Sequence, residues 1–237
     1  MVNVQDFIEK TPFAKRILVD ELLFAEFRCP MEEGKSRIWW HNNFFAHVLM
    51  GETVLKTPRQ EYVLKAGDSA FAKKGSVITH NYVNEEFCEL LVFVPDDFIK
   101  TVVQKYNVAW QGDSHNAASD TIIPLAPDDV LLYYFQSLLT HFRQDLPPSS
   151  SLLKLKFEEL LLNITSSHSN QELRLYFSDV CKSSKPSIRE IMEQNFFSNL
   201  TLNEFARLCA RSFSSFKREF TTIYHKTPGK WLLEKRL

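Results

Sequence analysis

The C-terminal stretch from residue 201 to residue 237 reads TLNEFARLCARSFSSFKREFTTIYHKTPGKWLLEKRL, and it contains three signals for the start of a helix. Thr201 opens a capping box with the glutamate three residues later. Ser212 can cap a second helix, and Thr227 followed by Pro228 is an N-cap before a proline in the first helical turn. Only about three residues separate the first two predicted helices, a spacing that favours a helix-turn-helix.

The second helix of this pair has two different faces. Phe216 and Phe220 are four residues apart and are predicted to face the core. Small hydroxyl groups near the start of the helix and basic residues along its outer face suit insertion into the major groove of DNA. Arg211, beside the helix start, is predicted to lie near phosphates. The predicted DNA contacts are Arg211, Ser212, Ser214, Ser215, Lys217, Arg218 and Thr221. The alternative is a helical bundle whose charged face is only solvated.

Charge divides the 237-residue chain, which carries a net charge of −1. Residues 183–237 hold ten Lys and Arg against five Asp and Glu, a net +5, whereas the remainder carries −6. A basic tail indicates a module that faces an anionic partner. The break lies at Lys182–Pro186, and a further capping box at Ser187 and Glu190 opens the tail. We therefore predict a DNA-binding domain over 183–237.

The residues before the tail change from strand-like to helix-like patterns. Short aromatic and β-branched runs, cut by turn signals such as Glu33-Gly34, predict an antiparallel barrel or sandwich over 1–125. Leucine-rich periodicity predicts a helical hairpin over 126–182. This hairpin either packs on the barrel or forms a dimer interface, and both remain open. The fold class is α+β. The pair Asp96-Asp97 is predicted to cap a helix over 98–106.

The tail resembles the first of the two helix-turn-helix units of the AraC family of bacterial transcription regulators. The matching residues are Leu202, Phe205-Ala206, Ser212, Phe216, Arg218, Phe220, Thr227-Pro228, Trp231 and Arg236-Leu237. The resemblance implies a cytoplasmic transcription regulator that binds double-stranded DNA. It also implies a cupin-like barrel and a dimerisation region in the residues before the tail. Members of the family continue into a second helix-turn-helix, so a single unit ending at Leu237 is expected to bind DNA weakly.

Residues 1–182, called the front part below, resemble a subgroup of the AraC family. In this subgroup the N-terminal domain is related to that of the type III secretion activators. Trp39-Trp40-His41-Asn42-Asn43, the Gly51-Glu52 turn and Val94-Pro95-Asp96-Asp97-Phe98 carry this resemblance. It implies that the barrel binds an effector, either a small molecule or a partner protein. An open pocket with a few polar groups favours a small ligand, and a closed aromatic interior favours a protein.

Two other functions compete with the DNA-binding regulator. A metal-dependent cupin enzyme needs about three converging ligands. His41, His47, His80 and Glu52 are the candidates, but none has the spacing of a metal motif. We therefore predict no metal, no cofactor and no enzymatic activity. A regulatory module that dimerises without binding DNA is the other alternative. No segment is long and apolar enough for a membrane span, so no membrane partner is expected.

Overall fold

The computed structural model describes residues 1–30, 36–82, 86–108, 120–144, 148–182 and 185–237. The predicted turn at Glu33-Gly34 and residues 183–184 of the predicted linker lie outside these ranges. The strands are β1 (Val2–Asn3), β2 (Ala14–Val19), β3 (Leu22–Pro30), β4 (Ile38–Trp40), β5 (Asn43–Met50), β6 (Glu52–Lys56), β7 (Glu61–Lys65), β8 (Ser69–Ala72), β9 (Gly75–Ser76), β10 (Thr79–Tyr82), β11 (Glu86–Val94) and β12 (Ile122–Pro124).

The helices lie mostly in the second half of the chain, as the leucine periodicity predicts. They are α1 (Val4–Ile8), α2 (Asp96–Lys105), α3 (Asp129–His141), α4 (Ser150–Ser166), α5 (Gln171–Lys182), α6 (Ile188–Asn195), α7 (Leu202–Leu208), α8 (Phe213–Tyr224) and α9 (Pro228–Arg236). Within the described ranges, no helix is both long and apolar enough to cross a bilayer.

The strands form three sheets. The largest has the order β12-β8-β5-β11-β3-β2 and is antiparallel throughout. A second antiparallel sheet has the order β10-β6-β7, and the third, β1-β4-β9, contains one parallel pair. The predicted α+β class is confirmed. Among the residues that are described, the strands form separate sheets rather than one closed barrel.

The large sheet separates two hydrophobic cores because successive side chains of a strand point to opposite faces. On β11, Leu90 and Val92 pack against helices α2–α5, and Leu91 and Phe93 pack in the interior between the sheets. All four side chains are nearly fully buried. The helices after residue 126 therefore share one core with the sheet. Of the two roles left open for the predicted hairpin, the structure shows packing against the sheet.

The predicted hairpin of two helices is wrong in one respect, because three helices occupy this region. A short 3-10 turn at His168–Asn170 separates α4 from α5, and Ser167 caps it by accepting from the backbone N–H of Ser169. Serine and asparagine compete with helical hydrogen bonds through their side chains. The polar run around Ser167 therefore ends α4. The periodic spacing of the leucines, on which the predicted hairpin rests, gives no sign of this break.

The prediction that Asp96-Asp97 caps a helix is also wrong. The N-cap is Pro95, which makes no side-chain cap bond, and α2 already begins at Asp96. The Asp96 carboxylate instead accepts from the Asn43 side-chain amide at 2.7 Å and pairs with the nearly buried ammonium of Lys74. Asp96 thus ties α2 to the adjoining strands.

Helices α6–α9 are the four helices predicted for the tail, and they pack around one core. The four predicted N-caps are confirmed: Ser187, Thr201, Ser212 and Thr227 each accept from a backbone N–H three residues later. At Thr201 both hydrogen bonds of the capping box are present. The core of this bundle includes Trp39, which comes from β4 of the front part.

Candidate nucleic-acid interface

The turn between α7 and α8 closes α7 with two backbone hydrogen bonds. The N–H of Ala210 donates to Arg207 O, and the N–H of Arg211 donates to Ala206 O, both at 3.0 Å. This pairing is a Schellman motif, whose central residue adopts the left-handed conformation. Ala210 has φ of 51° and fills that position although it is not glycine. The short connection therefore holds α7 and α8 close together at a fixed angle.

Helix α8 turns a basic face towards solvent. Phe216 and Phe220 are fully buried against the other helices of the bundle. The opposite positions follow the i, i+3, i+4, i+7 spacing of one helix face. The residues exposed there are Ser214, Lys217, Arg218 and Thr221. Lys217 lies over the Phe213 ring at 5.3 Å, and the Thr221 hydroxyl donates to Lys217 O at 2.9 Å.

The first turn of α8 already uses some of its hydroxyl groups. The exposed Ser212 Oγ accepts from the N–H of Ser215 at 3.3 Å and lies 3.1 Å from the half-buried Ser215 Oγ. Ser212 thus satisfies one N–H of the helix terminus. The other N–H groups of the first turn have no intrahelical acceptor, so an anion can approach this end of the helix.

Arg211 is placed differently from the other predicted contacts, because its side chain is only 10% exposed. Its Nε donates to Glu219 at 2.7 Å, and its guanidinium also donates to the backbone carbonyls of Pro186 and Cys209. The hydrogen bond from Arg211 lowers the pKa of Glu219. The guanidinium therefore holds the turn and offsets the one acidic side chain inside α8.

A contact that the sequence does not predict joins α7 to the front part. The guanidinium of Arg207 donates two hydrogen bonds to the carboxylate of Asp6, both at 3.0 Å. The same group lies 5.8 Å from the Trp39 ring and 3.2 Å from the imidazole of His41. The hydrogen bond from Arg207 lowers the pKa of Asp6, and burial together with the Arg207 charge lowers the pKa of His41 to about 4. The chain separation of about 200 residues leaves no local signal for this contact.

A second contact between the front part and the tail is a buried hydrogen bond. Ser76 on β9 and Asn195 at the end of α6 are both inaccessible to solvent, and the Ser76 hydroxyl donates to Asn195 Oδ1 at 2.9 Å. The Asn195 amide donates in turn to Ile191 O. Polar pairs of this kind fix one relative placement, because separation would leave buried groups without partners.

The residues considered as metal ligands lie in different parts of the front. His41 contacts the tail, His47 stacks on Phe135 of α3 at 4.5 Å, and His80 lies between the sheets. Glu52 lies 3.6 Å from Lys65. Among the described residues, no group of three or more His, Cys, Asp or Glu side chains is placed to hold a metal ion.

Comparison with known proteins agrees with this architecture. Residues 43–176 match the family described as the ExsA N-terminal regulatory domain. The virulence regulon transcriptional activator VirF of Yersinia enterocolitica is 25% identical over 193 residues, which cover 80% of this chain and 70% of VirF. The thermoregulatory protein LcrF of Yersinia pestis matches with the same identity and coverage. An apo variant of ToxT from Vibrio cholerae superposes on 90% of this chain and 97% of its own, with 12% identity and a TM-score of 0.46.

The match to more than half of the chain identifies the class of protein. The chain belongs to the family defined by the ExsA N-terminal regulatory domain, within the AraC-type regulators. It is a transcription regulator. The resemblance of the front part to the type III secretion activators is thereby confirmed, together with the membership in the AraC family.

Proposed function

We propose that this regulator binds double-stranded DNA by inserting α8 into the major groove. The exposed basic face of α8, opposite the buried Phe216 and Phe220, is the observation that carries the proposal. The proposed contacts are Ser212, Ser214, Ser215, Lys217, Arg218 and Thr221. Such a regulator acts in the cytoplasm, where the bacterial chromosome lies.

Arg211 takes a supporting role in this proposal. Its guanidinium is committed to Glu219 and to two backbone carbonyls, so phosphate contact would cost these hydrogen bonds. We assign Arg211 to the positioning of α8. This assignment differs from the sequence-based prediction of a phosphate contact.

The test is fluorescence anisotropy of the chain on a pool of promoter fragments. Affinity should fall steeply between about 50 mM and 200 mM salt, because phosphate contacts release counterions. The variant with Lys217→Ala and Arg218→Ala should lose at least about tenfold in affinity and reduce the salt slope by roughly two. The matched control replaces the exposed Lys56 and Lys65 of the front part, with the same change in net charge.

Two results would contradict this assignment. If the α8 variant and the control variant both bind DNA with wild-type affinity, the DNA interface lies elsewhere on the protein. No binding even at low salt favours the alternative of a regulatory module that does not bind DNA by itself. Circular dichroism of both variants shows whether the fold is retained.

We also propose that the outer face of α3 and α4 forms a homodimer interface. The inner faces of these helices pack on the sheet, but Val130 and Tyr133 on α3 are 54% and 66% exposed. Leu152 and Leu155 on α4 are 40% and 55% exposed. The two helices contact each other, and large apolar side chains exposed on adjacent helices are typical of interaction sites.

Sedimentation equilibrium tests the dimer. Tyr133→Glu with Leu155→Glu should shift a wild-type dimer to monomer, because each buried carboxylate would lack a partner. Leu18→Glu, at an exposed leucine of β2, is the matched control and should leave the dimer intact. A monomeric wild-type chain, or a dimer that survives both substitutions, contradicts the proposal.

A further inference from the structure

The front part encloses a cavity of about 230 Å³ between its sheets. Its wall is mostly apolar, with side chains such as Phe44, Leu64 and Leu91, and the Trp40 ring lies against it. No Lys or Arg of the described chain lines this space. A mostly apolar chamber with a few polar groups is typical of a small-molecule site, although drug-sized ligands usually occupy roughly 300–1,000 Å³.

Glu89 brings a carboxyl group into this apolar chamber. It lies on the face of β11 that also carries Leu91 and Phe93, and it is paired with Phe27 of β3 and Val48 of β5. Its carboxyl group makes no hydrogen bond or ion pair with any described residue, and Glu89 is part of the cavity wall. Burial raises the pKa of Glu89 to about 8. The carboxyl group is therefore protonated at neutral pH and has an O–H to donate.

The histidine of this cavity is also uncharged. His80 is 7% exposed, with Nε2 at 3.1 Å from Thr53 Oγ1 and Nδ1 at 3.3 Å from Ser36 Oγ. Burial lowers the pKa of His80 to about 4. Both ring nitrogens thus face hydroxyl partners, and the imidazole brings no positive charge to the cavity. An anionic ligand would be desolvated here without a counter-charge, which is costly.

We propose that this cavity binds a small, neutral and mostly apolar molecule whose carbonyl or similar acceptor takes a hydrogen bond from the carboxyl group of Glu89. The inference rests on the proposed regulator and names the chemical class of its effector. An unpaired buried donor is unfavourable, so a ligand that supplies the acceptor gains from satisfying it. The apolar wall contributes binding through the area it removes from water.

The experiment compares two probes of equal carbon number, 2-octanone and octanoate, on the full chain at about pH 7. Isothermal titration calorimetry measures affinity, and intrinsic tryptophan fluorescence reports occupancy through Trp40, which borders the cavity. We expect one site for 2-octanone and at least about tenfold weaker binding of octanoate. Octanoate binding equal to or tighter than 2-octanone, or no binding of either probe, overturns the proposal.

Variants locate the site and the hydrogen bond. Glu89→Leu should weaken 2-octanone about fivefold, the value of one hydrogen bond, while Glu89→Gln keeps a donor and should stay within about twofold. Ala70→Met fills the cavity and should abolish binding. The control is Glu26→Gln, a buried carboxylate of β3 that pairs with Arg28 outside the cavity.

Each variant is checked for folding by circular dichroism and for DNA affinity by anisotropy. Unchanged 2-octanone affinity in Glu89→Leu overturns the hydrogen bond, whether or not Ala70→Met folds. In the wild-type chain, 2-octanone binding without DNA binding contradicts the proposed DNA interface and leaves the cavity site standing. DNA binding without 2-octanone binding in the wild-type chain overturns only the cavity site.

Discussion

The contribution of Glu89 to the free energy of unfolding should fall as pH rises from about 6.5 to 8, because its carboxyl group lies in the apolar cavity. Its pKa is raised from 4.5 to about 8 by burial. Between these values the folded chain holds a proton that the unfolded chain releases. Its contribution is complete below pH 4.5 and is lost as pH rises through 8. The limiting slope is about 1.4 kcal/mol per pH unit, so this interval costs about 1.5 kcal/mol.

Other shifted groups act at the two ends of this interval and oppose Glu89. Burial lowers the pKa of His41, His47 and His80 from 6.5 to about 4, so the folded chain resists their protonation. Their contributions are present above pH 6.5 and are lost as pH falls towards 4. Burial also lowers the pKa of Lys73 from 10.5 to about 8, which makes stability rise with pH above 8. These groups raise the stability with pH across part of the interval, so the contribution of Glu89 is read as the difference between the wild-type chain and Glu89→Gln.

Urea unfolding followed by circular dichroism provides the measurement, in steps of about half a pH unit. Glu89→Gln removes the titrating carboxyl group and keeps the contributions of the other groups. Relative to this variant, the wild-type chain should lose about 1.5 kcal/mol across the interval. Glu26→Gln is the control and should keep the wild-type slope. Parallel slopes for wild type and Glu89→Gln would refute the reasoning, because another group would then carry the pH dependence.

Three further predictions concern the backbone and the joint between front and tail. Ala210→Gly removes the left-handed strain of the Schellman turn, and thermal unfolding should show a gain of about 0.5–1 kcal/mol. Gly51→Ala should cost about 2–4 kcal/mol by the same measurement, because φ is +82° and the new Cβ would lie 2.4 Å from Glu86 O. Arg207→Ala should cost about 1 kcal/mol in urea unfolding, and a double-mutant cycle with Asp6→Asn should show about 0.5 kcal/mol of coupling. A neutral Ala210→Gly, a tolerated Gly51→Ala or additive effects at the ion pair would each contradict the corresponding contact.

The tail could be predicted from its sequence because its signals are local. A cap residue and its N–H partner are three positions apart, so Ser187, Thr201, Ser212 and Thr227 mark their helices directly. The strand positions of the front could also be predicted, for example at β5 and β11. The DNA contacts and domain boundaries remain predictions for experiment.

The remaining features depend on pairing between distant segments. Glu89 lies within an apolar run, and its isolation follows only from how β11 is placed between β3 and β5. The neighbours of Asp96 along the chain favour a cap, but its partners Lys74, just before β9, and Asn43 of β5 lie 22 and 53 positions away. Arg211 differs, because its acceptor Glu219 is only eight positions away and the pattern of the sequence does not distinguish this ion pair from a phosphate contact.

Strand β4 has a mechanical consequence, because its two tryptophans are adjacent and point in opposite directions. Trp39 is 3% exposed and is packed into the core of the tail, under the guanidinium of Arg207. Trp40 is fully buried, borders the cavity and donates from its indole to Lys73 O at 2.6 Å. One peptide bond therefore separates the wall of the cavity from the core of the tail. Any displacement of β4 would be felt on both sides at once, because no other segment lies between the two tryptophans.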